Sequence, residues 1–325
     1  MQTIVNKNAH KTEQLILADS GVIVRRITLS LGVRTPTRIG YATDLHFNYC
    51  NERDLAENDP VLMSTYKNRQ WLKNGASLPN ARRCLEYLSS TDQIVLGGDI
   101  MDYLSFGAME LMDREIWNKY PDVVSVVGGH ELMRRCQGEL PEAMSYEERL
   151  SLIRNFWHHD IFYYSRLVNN SVMLVLMLND RSTFYPEQGE KLLADIERAR
   201  KEGYPILLFL HEPLRTFNPG EKALPIENVL SLGDPGGFPI NYYDGIIDGK
   251  LILGNDSCSE ETKSVLSIIR TNADIIRAVI AGHRHSDIYT EILATTPDGT
   301  PTVIPQYICI GTPYDKGHVA EIIVE

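Results

Sequence analysis

The chain has 325 residues, 43% of them hydrophobic and 23% charged, proportions that exclude a disordered or fibrous polypeptide and allow a sizeable buried core. A net charge of -11 disfavours a surface built to grip nucleic-acid backbones, which takes clustered Lys and Arg. The five cysteines are odd in number, scattered and never in a Cys-x-x-Cys pair, which fits reduced, buried thiols better than a disulfide framework or a zinc ribbon.

In chain order, short β-rich runs recur at Val22–Leu31, Arg38–Thr43, Gln93–Leu96, Val123–Val127, Val172–Leu178, Ile206–Leu210, Ile275–Ala281, Val303–Ile310 and Val319–Val324. Each has a strand's length and apolar content. Helical patterns lie between them. Ser145 and Glu148 have capping-box spacing ahead of an apolar face of Leu150, Ile153 and Phe156. A second helix is expected to begin near Pro186, bury Leu192, Leu193 and Ile196, and stop at Gly203. Strands alternating with helices predict a layered α/β fold in one continuous domain, 1–325, since no repeat or linker divides the chain.

Two stretches depart from the pattern. Residues 47–77 are polar, with a helix expected only near Trp71, and residues 216–256 are rich in Gly, Pro and Tyr. Both read as long loops that wall a substrate site. The N-terminus lacks a basic segment followed by an apolar core, and the longest apolar run, Val172 to Leu178, is too short to cross a bilayer. A cytoplasmic location is therefore the expectation.

Five apolar strands each run into His or Asp. The segment Arg38–Thr43 leads to Asp44-Leu45-His46, whose i, i+2 spacing on an extended chain places both side chains on one side. Gln93–Leu96 leads to Gly97-Gly98-Asp99-Ile100-Met101-Asp102, and Val123–Val127 leads to Gly128-Gly129-His130-Glu131. Ile206–Leu210 delivers His211, and Ile275–Ala281 delivers Gly282-His283-Arg284-His285. An Asp-x-His pair alone arises often by chance. Ligand types at five strand ends do not, because open α/β sheets place their sites outside the carboxyl ends of strands.

In that order the motifs resemble the calcineurin-like metallophosphoesterases, whose pattern is Asp-x-His, Gly-Asp-x-x-Asp, Gly-Asn-His-Asp/Glu, a lone His after a strand, and Gly-His-x-His. The likeness covers Arg38 to His285 and includes Asn179-Asp180-Arg181-Ser182 with the helix that follows. It implies a four-layer α/β/β/α sandwich of two mixed sheets flanked by helices, with the strands before Asp44 extending one sheet. It further implies two metal ions, manganese, iron or zinc. Asp44, His46 and His285 would hold the first, Asp99 would bridge, and His211 and His283 would hold the second. His130 would face the leaving group, with Asp102 orienting it or its neighbours.

The reaction so implied is hydrolysis of a phosphomonoester or phosphodiester on a small molecule, with water made nucleophilic by two metals and His130 as general acid. Two divalent ions against two aspartates leave about two positive charges, which complements a phosphate dianion. The pattern breaks at Gly129, where the family has a metal-binding Asn. Three accounts stand open: water completes a weaker second site, another residue substitutes, or the chain binds without turnover. A non-catalytic scaffold and a nuclease on the same core are the competing functions. Arg284 is a candidate phosphate contact, although an extended segment would point it away from the ligands, and Tyr242 and Tyr243 are candidate stacking groups. His158 and His159 read as cap or surface residues, and His10 and His318 have no ligand-like context. Oligomeric state is not legible.

Overall fold

The computed structural model describes residues 11–69, 77–134, 143–180, 183–214, 244–247, 250–253, 259–313 and 316–325. Its apolar runs become strands buried on both faces. In Val172–Met177, alternate residues Met173, Val175 and Met177 join one apolar cluster, while Val172, Leu174 and Leu176 join another. Ile206–Phe209 divides in the same way. A period-two chain with both faces covered needs apolar residues at every position, which is why these strands read as unbroken hydrophobic runs.

The first sheet contains β1 (Lys11–Leu17), β2 (Ile23–Leu29), β3 (Thr37–Ala42), β4 (Gln93–Leu96), β5 (Val124–Ser125) and β14 (His318–Val324), ordered β1-β2-β14-β3-β4-β5. As expected, an N-terminal hairpin, β1 antiparallel to β2, extends its edge. The second contains β6 (Tyr163–Val168), β7 (Val172–Met177), β8 (Ile206–Phe209), β11 (Ile276–Ala281), β12 (Ile288–Thr295) and β13 (Pro301–Ile308), ordered β12-β13-β11-β8-β7-β6. Both sheets mix parallel and antiparallel pairs. A separate hairpin joins β9 (Asp244–Ile247) to β10 (Lys250–Leu253).

Three apolar clusters separate four layers. One lies between the sheets and draws Ile39, Tyr41 and Val95 from the first and Leu174, Phe209 and Ile280 from the second. A second packs the outer face of the first sheet against α3 (Ser77–Leu88), α4 (Phe106–Met112) and α5 (Tyr146–Phe156) through Cys84, Leu88, Leu96, Ala108 and Ile153. The third packs α6 (Gln188–Glu202) and α7 (Glu260–Thr271) on the second sheet through Leu192, Ile196, Val265 and Ile269. Each fully buried aliphatic side chain contributes about 1.5–3 kcal/mol. The fold is thus the α/β/β/α sandwich that the motifs imply.

Several local expectations hold, and others are corrected. The Ser145–Glu148 capping box is formed, and Gly203 ends α6 with φ 77°. Leu193, expected in the core, is 42% exposed, because it is rotated about 100° around the helix from the face that Leu192 and Ile196 bury. The stretch 47–77 is not one irregular loop: it carries α1 (Glu52–Glu57) and α2 (Pro60–Asn68), capped by Asn51 and Asp59. These helices are too short for hydrophobic periodicity to reveal. The helix expected near Trp71 and most of 216–256, including Tyr242 and Tyr243, lie outside the described residues. His159 is half-buried: its Nε2 accepts from Ser125 N at 3.1 Å and its ring stacks on Tyr164. Cys50, Cys84 and Cys309 are buried and free. No helix among the described residues is long and apolar enough to cross a membrane.

Candidate metal centre

Five parallel strands bring the motif residues to one place. In the first sheet, β3, β4 and β5 run parallel and end at Asp44-His46, Asp99 and His130. In the second, β8 and β11 run parallel and end at His211 and His283-His285. Backbone bonds register these ends: Asp44 N donates to Gly98 O at 2.9 Å, His46 N to Asp99 O at 3.0 Å, and Gly282 N to His211 O at 3.1 Å. Two further bonds tie the sheets together, His283 N to Asp44 Oδ2 at 3.0 Å and His211 Nδ1 to Gly97 O at 2.7 Å.

The backbone at the site is not extended, contrary to the i, i+2 argument for Asp44 and His46. Both residues, with Asp99, His283 and His285, have φ between 48° and 68°. Left-handed backbone is uncommon outside glycine and costs about 1–3 kcal/mol per residue, and it persists only where the surroundings enforce it. After β3, β4 and β11 the chain reaches Asp44, Asp99 and His283 in a left-handed step, whereas His211 after β8 and His130 after β5 are reached without one. The same geometry corrects Arg284, which sits half-buried in a tight turn between two left-handed histidines, its N–H donating to Gly282 O at 2.7 Å.

The side chains gather as three groups whose ligand atoms lie within 4.8 Å of one another: Asp44, His46 and His285; Asp99, His211 and His283; and His46, Asp102 and His130. Asp44, His46, Asp99, Asp102 and His211 are buried. In the first group His285 Nε2 stands 3.1 Å from both His46 Nε2 and Asp44 Oδ1. Two imidazole nitrogens facing each other at that distance need a proton or a cation between them. In the second, His211 Nδ1 donates to a carbonyl, which aims Nε2 at Asp99 Oδ2, 3.0 Å away. Convergent nitrogens and carboxylate oxygens, each oriented by an outer partner, are a donor set that fits manganese, iron or zinc.

Glycines make room for this convergence. A Cβ on Gly128 would lie 2.3 Å from Asp99 Oδ1, and one on Gly282 would lie 2.0 Å from Thr43 Oγ1 and 2.6 Å from Asp44 Oδ2.

The charges favour a cation. Burial works to raise the Asp44 and Asp99 carboxyls, but nearby histidines, His285 for Asp44 and His211 for Asp99, outweigh it and hold both below the usual carboxylate range. Burial works to lower His211, while the Asp99 and Asp44 charges raise it to about 10. His283, where desolvation and the His211 charge prevail, falls to about 3 and stays neutral.

Asp102 serves two histidines. Its Oδ1 stands 3.0 Å from His46 Nδ1 and 3.8 Å from His130 Nδ1, while its carbonyl oxygen accepts from His130 Nδ1 at 2.6 Å. The carboxylate therefore orients His46, and the backbone orients His130. With Nδ1 donating, His130 Nε2 is the nitrogen left to take up or release a proton, 3.9 Å from Asp99 Oδ2 and in a side chain 16% exposed.

Sequence reasoning passed over three residues. Glu131 is fully buried and accepts from Asp99 N, Met101 N and Gly128 N at 3.0, 2.9 and 2.7 Å, fastening two ligand loops together. Its carboxyl is pushed up to about 7 by burial and the Asp99 charge, against the pull of the amides. Arg69, from the end of α2, donates to both oxygens of Asp102 at 2.6 and 3.3 Å. Asp180, just past β7, is 7% exposed beside Gly129. Glu131 had a signal in its place after His130 and Asp180 in the Asn179–Ser182 stretch of the family likeness, whereas Arg69 had none.

A family model described as calcineurin-like phosphoesterase matches residues 37–287. No curated protein matches the sequence. Among solved structures, the chain is similar to a purple acid phosphatase from yellow lupin (Lupinus luteus) seeds, at 12% identity and TM-score 0.46, covering 96% of this chain and 49% of that one. It is similar to a putative 5'-nucleotidase from Staphylococcus aureus, at 13% and 0.41, covering 89% and 51%. A dimetal phosphatase from Danio rerio is 15% identical with TM-score 0.37, covering 85% of this chain and 87% of that one. The chain spans about half the length of the first two.

Proposed function

Because the chain belongs to the calcineurin-like phosphoesterase family, we propose that it hydrolyses a phosphomonoester or phosphodiester of a small molecule at the centre formed by Asp44, His46, Asp99, His211, His283 and His285. The observation that carries this reading is the gathering of those six side chains into two adjoining three-residue groups. Asp44, His46 and His285 would hold one metal ion, His211 and His283 the other, and Asp99 would lie between them. Bound there, manganese, iron or zinc ions supply Lewis acidity toward phosphate oxygens and make water nucleophilic near neutral pH.

The chain's own groups do the rest. Asp102 holds His46 by its carboxylate and His130 by its carbonyl oxygen. With Nδ1 engaged, a protonated His130 Nε2 delivers a proton to the departing alkoxide, a step typically worth about 10²–10⁴-fold. The buried carboxylates and neutral His283 keep the cup negative enough to retain cations, and the left-handed turns fix ligand positions before substrate arrives. Arg284, in the ligand turn, adds a positive charge at the site's edge suited to a phosphate oxygen.

The purified chain with added Mn²⁺ should hydrolyse bis(p-nitrophenyl) phosphate or p-nitrophenyl phosphate, and Asp99→Ala should abolish the activity. Turnover that survives Asp99→Ala would remove this reading. A phosphomonoester, cyclic-nucleotide and phospholipid-headgroup panel then resolves the substrate class.

A further inference from the structure

The family's pattern puts a metal-binding Asn at the position of Gly129, and here that position has no side chain. The structure shows what stands there instead. A Cβ built on Gly129 would meet Asp180 Oδ1 at 3.2 Å, closer than an ordinary van der Waals contact, and nothing else nearer than Met133 Cε at 3.7 Å. The Asp180 carboxylate therefore presses against the place where a side chain at 129 would begin.

Asp180 is also held in place. It follows β7, which pairs in parallel with the strand that delivers His211. Its neighbour Asn179 locks that register, donating from Nδ2 to Glu212 O at 2.7 Å and accepting from Glu212 N at 3.2 Å. Tyr146 donates its hydroxyl to Asp180 Oδ2 at 3.2 Å and is itself 2.6 Å from the Tyr185 hydroxyl. One carboxylate oxygen is thus anchored by a tyrosine pair, while the other faces Gly129. An outer hydrogen bond on one oxygen is how ligating carboxylates are commonly supported.

We propose that Asp180 is the compensating ligand for the metal held by His211 and His283, supplying from the end of β7 the oxygen that the family takes from an Asn beside His130. This rests on the phosphoesterase reading above. Asp180 is not among the atoms gathered within 4.8 Å at Asp99, His211 and His283, so it would join the ion by turning about its side-chain torsions. Replacing a neutral amide with a carboxylate makes three acids around two divalent ions and lowers the net charge of the centre from about +2 to about +1. The second site should accordingly bind its ion tightly.

Calorimetric titration of the full chain with Mn²⁺, with metal counting after dialysis, tests this. Wild type should bind two equivalents. Asp180→Ala should keep one and bind the other at least about 10-fold more weakly. In the Asp180→Ala background, Gly129→Asn should restore the second equivalent, whereas Gly129→Asn alone should weaken it, because the new side chain and Asp180 compete for one space. Asp180→Asn, nearly isosteric, carries the test if the alanine variant misfolds, and should weaken the second ion several-fold. Two equivalents at wild-type affinity in Asp180→Ala, or in Asp180→Asn where only that variant folds, overturn the assignment and leave the phosphoesterase reading standing. A wild-type chain that binds no Mn²⁺ overturns both.

Discussion

Arg69 and Asp102 form a two-pronged ion pair, Nη2 to Oδ1 at 2.6 Å and Nε to Oδ2 at 3.3 Å, and the same Oδ1 stands 3.0 Å from His46 Nδ1. The short helix α2 thereby reaches a proposed metal ligand through one carboxylate. Asn48 adds to the clamp, donating to Asp102 Oδ2 at 3.3 Å while accepting from the Tyr103 hydroxyl at 2.8 Å. Burial would raise the Asp102 carboxyl, but His46 and Arg69 hold it far below its ordinary range.

Removing that clamp should loosen His46 without deleting a ligand. Arg69→Ala is expected to weaken Mn²⁺ binding by about 10–100-fold, the usual effect of losing an outer-shell partner. Arg69→Lys should recover only part, because an ammonium cannot hold both oxygens in the planar fork. Titration of metal affinity alongside kcat/KM checks this, and an alanine variant with wild-type affinity would show the pair to be ornamental to the site.

His130→Ala should separate proton delivery from metal binding. With alkyl phosphate esters kcat should fall by about 10²–10⁴-fold, while p-nitrophenyl esters, whose leaving group needs no proton, should lose far less. Metal content should stay at the wild-type value. Equal losses on both ester types would point away from a general acid.

Gly282→Ala should disturb the centre by contact alone, since its Cβ would stand 2.0 Å from Thr43 Oγ1 and 2.6 Å from Asp44 Oδ2. Stability should drop by about 1–3 kcal/mol, as for other overpacked sites, and bound metal should drop with it. Gly299→Ala serves as the control: φ is +83° but no atom lies within 4 Å of the new Cβ, so stability should fall while metal content does not. Denaturant melts paired with metal counting read both quantities.

On β14, paired with Gly40 of β3, Glu321 is fully buried and accepts from Arg26 Nε at 2.7 Å and Arg38 Nε at 3.0 Å. Burial would raise its carboxyl, but the two guanidiniums hold it below the ordinary glutamate range. A folded-state pKa below the unfolded one gives stability that is full above the ordinary range and lost as pH falls toward the folded value. Glu321→Gln should therefore cost about 1.5–3 kcal/mol at neutral pH, the scale of hydrogen bonds to charged groups. The gap from wild type should narrow in acid. Urea melts at neutral and acid pH test the sign, and a gap that widens in acid would contradict it.

The sequence by itself determined the strand cores and the order in which they end on ligand-type residues. A strand covered on both faces must be apolar throughout, so Val172–Met177 and Ile206–Phe209 are visible as runs, and motif spacing then marks Asp44, Asp99, His211 and His283. What only the tertiary structure decided is how those ends are turned and what supports them. The left-handed steps at Asp44, His46, Asp99, His283 and His285 leave no mark in residue type, because packing enforces them against local preference. Arg69 meets Asp102, and Asp180 fills the space beside Gly129, across stretches of chain that no local period connects. Asp180 reaches Gly129 because two sheets stack with their carboxyl edges together, and Arg69 reaches Asp102 because α2 folds back to the end of β4; contact between residues remote in sequence exists only once that packing has formed.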